Sequence, residues 1–68
     1  MHFTVEYEQE DDGRWLAEVL ELPGVLSYGN TREEAMARAK ALALRVVAER
    51  LEHGEMGPNL ATIAFEAA

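Results

Sequence analysis

The chain has 68 residues, enough for one small domain, and a domain of this size buries only about 60% of its unfolded surface. It contains no cysteine, which excludes disulfides and thiolate metal clusters, so we expect self-association to add stability. Six basic against thirteen acidic residues give a net charge of −7, which argues against direct nucleic-acid binding and favours a basic protein partner. No apolar run approaches the ~18 residues of a membrane span, and the N-terminus lacks a signal-peptide pattern, so we expect a cytoplasmic protein without membrane contact.

The first part of the chain alternates between apolar and polar residues, as half-buried strands do. The alternation predicts strands at about residues 2–8 and 14–20. Residues 10–13 form the turn between them, with Gly13 supplying the positive φ that closes a hairpin.

The pairing of these two strands follows from their large side chains. We predict the pairs Tyr7–Trp15, Val5–Ala17 and Phe3–Val19. A slip of one residue would set Val5 against Glu18, so the first register is favoured.

A proline-glycine turn separates the second strand from the third. Residues 21–24 contain Pro23, which cannot donate to a ladder. A short third strand follows at about residues 25–28 and is stopped by residues 29–30.

One long helix, at about residues 31–53, dominates the chain. Thr31 is a good N-cap, and the Glu34 carboxylate is placed to reach back to the Thr31 amide in a capping box. Gly54 and Pro58 are predicted to end the helix. Its predicted apolar stripe comprises Ala35, Ala39, Leu42, Ala43, Val46, Val47 and Leu51.

A last strand is predicted at about residues 60–65, followed by a frayed tail at residues 66–68. The first three strands form an antiparallel meander, and a right-handed helical crossover delivers the fourth strand parallel to the first. We therefore predict an α+β fold, βββαβ, with a four-stranded mixed sheet of order 3-2-1-4 and one helix covering one face.

A single helix leaves the other face of this sheet uncovered. The covered face is predicted to carry Phe3, Val5, Tyr7, Trp15, Ala17, Val19, Ile63 and Phe65. The candidate partner or oligomer surface on the opposite face comprises Glu6, Glu8, Leu16, Glu18, Leu20, Leu26 and Tyr28. The short third strand is also an edge that is open to pairing with another chain.

The chain shows no set of residues with the spacing of catalytic machinery. His2 and His53 lack a second ligand at metal spacing, and Ser27 is not in the strained turn of a hydrolase. Residues 29–31 precede a helix, but the acidic residues that follow would repel a phosphate. We predict no enzyme activity, no catalytic residues, no cofactor and no metal site.

One alternative arises because the strand order is similar to part of a ribonuclease H-like sheet. Such nucleases gather inward-pointing acids around two metal ions. Glu6, Glu8 and Glu18 are cross-strand neighbours that would suit a divalent cation. Solvated acids on a sheet face are the commoner arrangement, and we rank a degenerate nuclease last.

Four segments of the chain, residues 12–19, 21–24, 29–31 and 33–35, closely resemble HicB-like antitoxins. That family shows Asp-Gly-aromatic, an acidic residue before Leu-Pro-Gly, and Gly-Asp-Thr with Glu-Glu-Ala opening the helix. The turn and cap positions of the motif are Gly13, Leu22, Pro23, Gly24, Gly29, Asn30, Thr31 and Glu34. The departures are Glu21 and Asn30, where aspartate is usual, and Val25, where cysteine is common.

The resemblance implies a partial ribonuclease H-like fold that lacks catalytic acids. Its members bind a small basic toxin, HicA, which cuts messenger RNA with a double-stranded-RNA-binding-like fold. Many members carry a second, DNA-binding domain, for which the residues after the last strand leave no room, so direct operator binding is not expected. The resemblance thus implies a binding module for a HicA-type toxin. The alternative is a homo-oligomer, a dimer or tetramer, with a regulatory or structural role and no toxin partner.

Overall fold

In a computed structural model, which describes residues 1–55 and 62–68, the chain folds into a four-stranded mixed sheet with one helix on it. The elements are β1 (His2–Gln9), β2 (Trp15–Val19), β3 (Leu26–Gly29), α1 (Arg32–Glu52) and β4 (Ala64–Ala67). The strand order is β3-β2-β1-β4, with β4 parallel to β1 and the other pairs antiparallel. The predicted α+β fold is therefore confirmed.

The β1–β2 hairpin has a tighter loop than predicted, and this changes its register. The Glu10 N–H donates to the Arg14 carbonyl at 2.7 Å, so only residues 11–13 lie outside the ladder. Gly13 has the predicted positive φ, of 90°. The observed pairs include Val5–Val19, Tyr7–Ala17 and Gln9–Trp15. The predicted register was wrong by two residues, an even shift that leaves every side chain on its predicted face.

The start of the helix confirms Thr31 as N-cap and corrects one contact of the capping box. Thr31 Oγ1 accepts from the Glu34 N–H at 3.0 Å. The Glu34 carboxylate accepts from the Asn30 N–H at 3.3 Å, instead of the predicted Thr31 N–H. That amide lies in reach because the chain enters the helix extended, with Thr31 at φ −127° and ψ 161°. At the other end, Gly54 has the expected positive φ, of 71°.

The buried face of α1 is built from small residues, and it is narrower than the predicted stripe. Its buried positions are Ala35, Ala39, Ala43 and Val47, with Leu42 and Val46 partly buried beside them. Leu51 is 38% exposed, so its predicted place in the stripe was wrong. A helix residue lies about 40° further around the axis than the residue four positions before it. A stripe with this spacing therefore drifts around the helix, and its last residue points away from the sheet.

β3 begins and ends one residue later than predicted. Val25, the predicted first residue, is buried just before the strand, and Gly29 is its last residue instead of its stop. A Cβ on Gly29 would overlap the backbone N of Ala35 and lie 2.9 Å from the backbone C of Glu34. Glycine at this position therefore lets the helix start directly against the sheet.

β4 lies further along the chain than predicted. The predicted residues 60–61 are outside the described residues, and Ile63 precedes the strand with 36% of its surface exposed, so it is not on the covered face as expected. Glu66 and Ala67, predicted as a frayed tail, are in the strand. The Ala64 N–H donates to the Met1 carbonyl, which aligns β4 with the start of β1 and sets the strand's beginning.

The core lies between α1 and the inner face of the sheet. Its buried residues are Phe3, Val5, Ala17, Val19, Leu22, Val25, Ala35, Ala39, Ala43 and Val47. Tyr7, Trp15 and Phe65 pack against it partly buried, and the Phe3 and Phe65 rings lie 5.5 Å apart. The predicted covered face is thus the covered one, apart from Ile63.

Candidate functional site: the outer face of the sheet

The sheet face opposite α1, the outer face, presents its residues in cross-strand rows. One row runs Glu8, Leu16, Tyr28 across β1, β2 and β3, and the next runs Glu6, Glu18, Leu26. Leu20 follows β2, and alternation places it on the same side. The seven residues singled out in the sequence therefore lie on one surface.

The apolar members of the outer face are exposed together. Leu20 is 46% exposed, and Leu26 and Tyr28 are each 39% exposed, while Leu16 is half-buried. Leu26 and Tyr28 are on β3, Leu16 is on the neighbouring β2, and Leu20 directly follows β2. Adjacent exposed apolar residues on a sheet mark an interaction surface more often than isolated ones do.

A groove of about 170 Å³ lies beside this apolar surface. Its lining residues are Glu6, Tyr7, Glu8, Leu16 and Glu18. Leu16 contributes apolar surface, and three carboxylates surround it. Such a groove suits a long basic side chain, whose methylene stem covers a leucine while its charged end meets acids.

The groove carboxylates have no cationic partner among residues 1–55 and 62–68. The ion pairs in these ranges are His2–Glu66, Arg14–Asp12 and Arg38–Glu34. The Arg14 guanidinium is engaged at the end of the face, 2.8 Å from Asp12 and 4.6 Å from the centre of the Tyr28 ring. The outer face therefore keeps an uncompensated negative charge.

The edge of the sheet at β3 is less open than the sequence predicted. Arg38 Nη1 donates to the Tyr28 carbonyl at 2.9 Å. The Val19 N–H bonds the Val25 carbonyl, so alternation points the Tyr28 carbonyl away from β2, toward the free edge. Arg38 thus occupies an acceptor that an added strand would need.

Glu21 supports the outer face in a way that the sequence analysis missed. Its carboxylate accepts from the Thr4 N–H at 2.7 Å and from the Thr4 hydroxyl at 2.8 Å. The Thr4 backbone bond, and then its hydroxyl bond, hold the pKa of Glu21 below the ordinary value of 4.5. The sequence signal for this contact was the acidic residue directly before Leu-Pro-Gly. That signal could not identify Thr4 as the partner, because Thr4 lies 17 residues away.

The Leu-Pro-Gly motif performs the turn that its residue types predict. The Val25 N–H donates to the Leu22 carbonyl at 3.0 Å, with Pro23 and Gly24 between them and a φ of 84° at Gly24. Leu22 itself is buried in the core. The turn therefore anchors the β2–β3 connection beside the outer face.

Tyr7 lies beside the groove, with its ring under the Arg32 guanidinium at 4.5 Å. Its hydroxyl is buried and has no hydrogen-bond partner among the described residues. Burial raises the pKa of Tyr7, Arg32 opposes that rise and Glu33 adds to it. The neutral phenol is therefore the form present at neutral pH.

Neither a cluster of metal ligands nor a membrane-spanning helix occurs in the described part of the chain. No group of three or more His, Asp or Glu side chains there could hold a metal ion, so the arrangement weighed for Glu6, Glu8 and Glu18 lacks the geometry of a cation site. His53 is the C-cap of α1, with Nδ1 2.9 Å from the Glu49 carbonyl oxygen. No helix within residues 1–55 and 62–68 is long and apolar enough to cross a bilayer.

Comparison with family models, curated proteins and solved structures finds no match to this chain.

Proposed function

We propose that this chain is a non-catalytic cytoplasmic module that binds and sequesters a small basic toxin of the HicA type, as its resemblance to HicB-like antitoxins implies. The observation that supports this most is the outer face, where carboxylates without cationic partners adjoin exposed apolar residues. The proposal involves no direct nucleic-acid contact, no cofactor and no membrane.

The chemistry of the proposed partner suits this face. A toxin that cuts messenger RNA needs a basic surface for the phosphate backbone. The groove acids Glu6, Glu8 and Glu18 would attract that surface and, once bound, keep RNA away from it. The neighbouring leucines would supply the desolvated contacts that give an interface most of its affinity.

The test is co-expression with a short basic protein that is encoded beside this chain. We expect a complex that survives moderate salt, together with rescue of growth. Leu20→Asp should weaken binding by about tenfold or more, since central apolar contacts carry most of the binding energy. Leu44→Asp is the matched control, because Leu44 is 45% exposed on α1, away from the outer face. Absence of both complex and rescue would overturn the proposal.

The second candidate is a homo-oligomer, a dimer or tetramer, without a toxin partner. It is favoured by a further group of exposed apolar side chains outside the outer face. Leu44, Leu51 and Ile63 are 45%, 38% and 36% exposed. Lys40, one turn before Leu44, has Nζ 5.5 Å from the centre of the Phe65 ring, which places this side of α1 toward β4. A second copy would bury these side chains without using the outer face.

A further inference from the structure

The distribution of charge and apolar surface on the outer face indicates how a partner would sit on it. Resting on the proposed function, we infer that the partner docks as an amphipathic helix lying along the strands. Two basic side chains one turn apart meet Glu6 and Glu8 on β1. Apolar side chains on the adjoining flank of that helix pack on Leu20, Leu26 and Tyr28.

The width of the face matches one helix. The residues of the face lie on three neighbouring strands, β3, β2 and β1. Strands are about 4.8 Å apart, so three of them span roughly 10 Å from first to last. This is about the 10–12 Å diameter of a helix with its side chains. The inner face of the same sheet is likewise covered by a single helix, α1.

The spacing of the acids matches the repeat of a helix. Glu6 and Glu8 are alternate residues of β1, so they are about 6.8 Å apart along the strand. Residues i and i+4 of a helix lie on one face, about 6 Å apart along the axis. Glu18, opposite Glu6 on β2, offers the same basic side chain a second carboxylate.

The β1 acids and the apolar residues of β3 lie on opposite sides of the outer face. Glu6 and Glu8 are on β1, whereas Leu26 and Tyr28 are on β3, with Leu16 between them on β2. A helix running along the strands therefore presents its basic flank to β1 and its apolar flank to β3. That division is the ordinary pattern of an amphipathic helix.

The other ways of covering this region fit less well. A strand added at β3 would need the Tyr28 carbonyl as an acceptor, and this carbonyl already accepts from Arg38. A second copy of the chain would bring the same groove acids, within a net charge of −7, against each other. A basic helix neutralises these acids instead.

The experiment uses the full chain and two synthetic helical peptides of about 18 residues, long enough to form stable helix in an alanine-rich host. In the first peptide two arginines stand at i and i+4 beside a leucine stripe. The second has the same composition, with its arginines at i and i+2, on different faces. We expect the first peptide to bind about tenfold more tightly in a calorimetric titration, a difference of about 1.4 kcal/mol.

Matched variants locate the binding to β1. Glu6→Gln with Glu8→Gln should reduce affinity for the first peptide about tenfold. Glu49→Gln with Glu52→Gln on α1 removes the same two charges and should leave affinity unchanged. Circular dichroism of each variant establishes that it is folded.

Equal binding of the two peptides, or equal losses in the two double variants, would overturn the inference. Binding of the neighbouring basic protein without binding of either peptide would also overturn it while leaving the proposed function standing. Binding of the first peptide alone, with no complex or growth rescue from the basic protein, would support the docking mode and remove the proposed function.

Discussion

The contact between Glu21 and Thr4 shows how one side chain can extend a strand ladder. The Leu20 N–H donates to the Thr4 carbonyl, and the Glu21 carboxylate then accepts from the Thr4 N–H and hydroxyl. An ionised acceptor makes the stronger kind of hydrogen bond. The acid before Leu-Pro-Gly therefore ties the β2–β3 turn to β1.

Replacing Glu21 with glutamine should lower stability in a pH-dependent way. The folded pKa of Glu21 is below 4.5, so ionisation stabilises the fold above that pH, and the stabilisation is lost as pH falls through the lower folded pKa. We expect wild type to have a higher Tm than Glu21→Gln at neutral pH, with the difference shrinking below pH 4.5. Glu49→Gln, which removes the same charge from α1, is the control in these thermal melts. A Tm difference that is independent of pH would contradict the role of ionisation.

Gly29→Ala should be strongly destabilising although Gly29 is not among the glycines with positive φ. The added methyl would overlap the backbone N of Ala35, and backbone cannot yield as a flexible side chain can. We expect a loss of about 1–3 kcal/mol in urea unfolding. Gly13→Asn, at a positive φ with open space around it, should change stability by less than about 1 kcal/mol because asparagine tolerates that conformation. Similar losses at the two positions would contradict the steric explanation.

At the scale of the element, α1 combines a capped N-terminus with close packing against the sheet. Thr31 accepts from the Glu34 N–H in the first turn, and the Glu34 carboxylate accepts from the Asn30 N–H just before the helix. Gly29 carries no side chain that would hold the helix away from the sheet. Its central contacts are alanines, which are fully buried at positions 35, 39 and 43. These small residues let the helix pack so close to the sheet that no space is left for a longer side chain.

Enlarging one of these alanines tests that packing directly. Ala39→Leu should destabilise the fold by about 1–3 kcal/mol through overpacking. Ala41→Leu makes the same chemical change at an exposed position of the same helix and should be nearly neutral. The measurement is urea unfolding of both variants. An unchanged Ala39→Leu midpoint would show that helix and sheet are less closely packed than the burial values indicate.

At the scale of the whole molecule, the apolar surface exposed by residues 1–55 and 62–68 lies in two separate places. Leu20, Leu26 and Tyr28 lie on the outer face, while Leu44 and Leu51 lie on α1. A single core in a chain of 68 residues rarely supplies more than about 3–5 kcal/mol. Burial of either surface against a partner would therefore raise stability substantially.

The two surfaces can be assigned separate roles by sedimentation velocity. If α1 mediates self-association, Leu44→Glu with Leu51→Glu should convert an oligomer to monomer, because the charges would have to be buried. Leu20→Glu with Leu26→Glu should leave the mass unchanged if the outer face is kept for the toxin. The reverse result would move self-association to the outer face, and a monomer in the wild type would remove the homo-oligomer candidate.

Local patterns in the sequence were sufficient to predict most of this fold. Alternation identified the strands and assigned the seven outer-face residues to one side. The N-cap Thr31 and the glycine at position 54 marked the two ends of the helix. These signals act between neighbouring residues, so they do not depend on how distant segments pack. The same alternation identified the acids and leucines of the candidate site, but not the groove that they line.

The sequence by itself therefore determined the elements, their order, and the two faces of the sheet. Only the tertiary structure decided the two-residue shift in the hairpin register and the later start of β4, because an even shift preserves alternation and leaves no local signal. It also decided the Glu21–Thr4 bonds and the close approach of Ala35 to Gly29. These contacts join separate elements, and their geometry exists only once the helix and the strands have packed together.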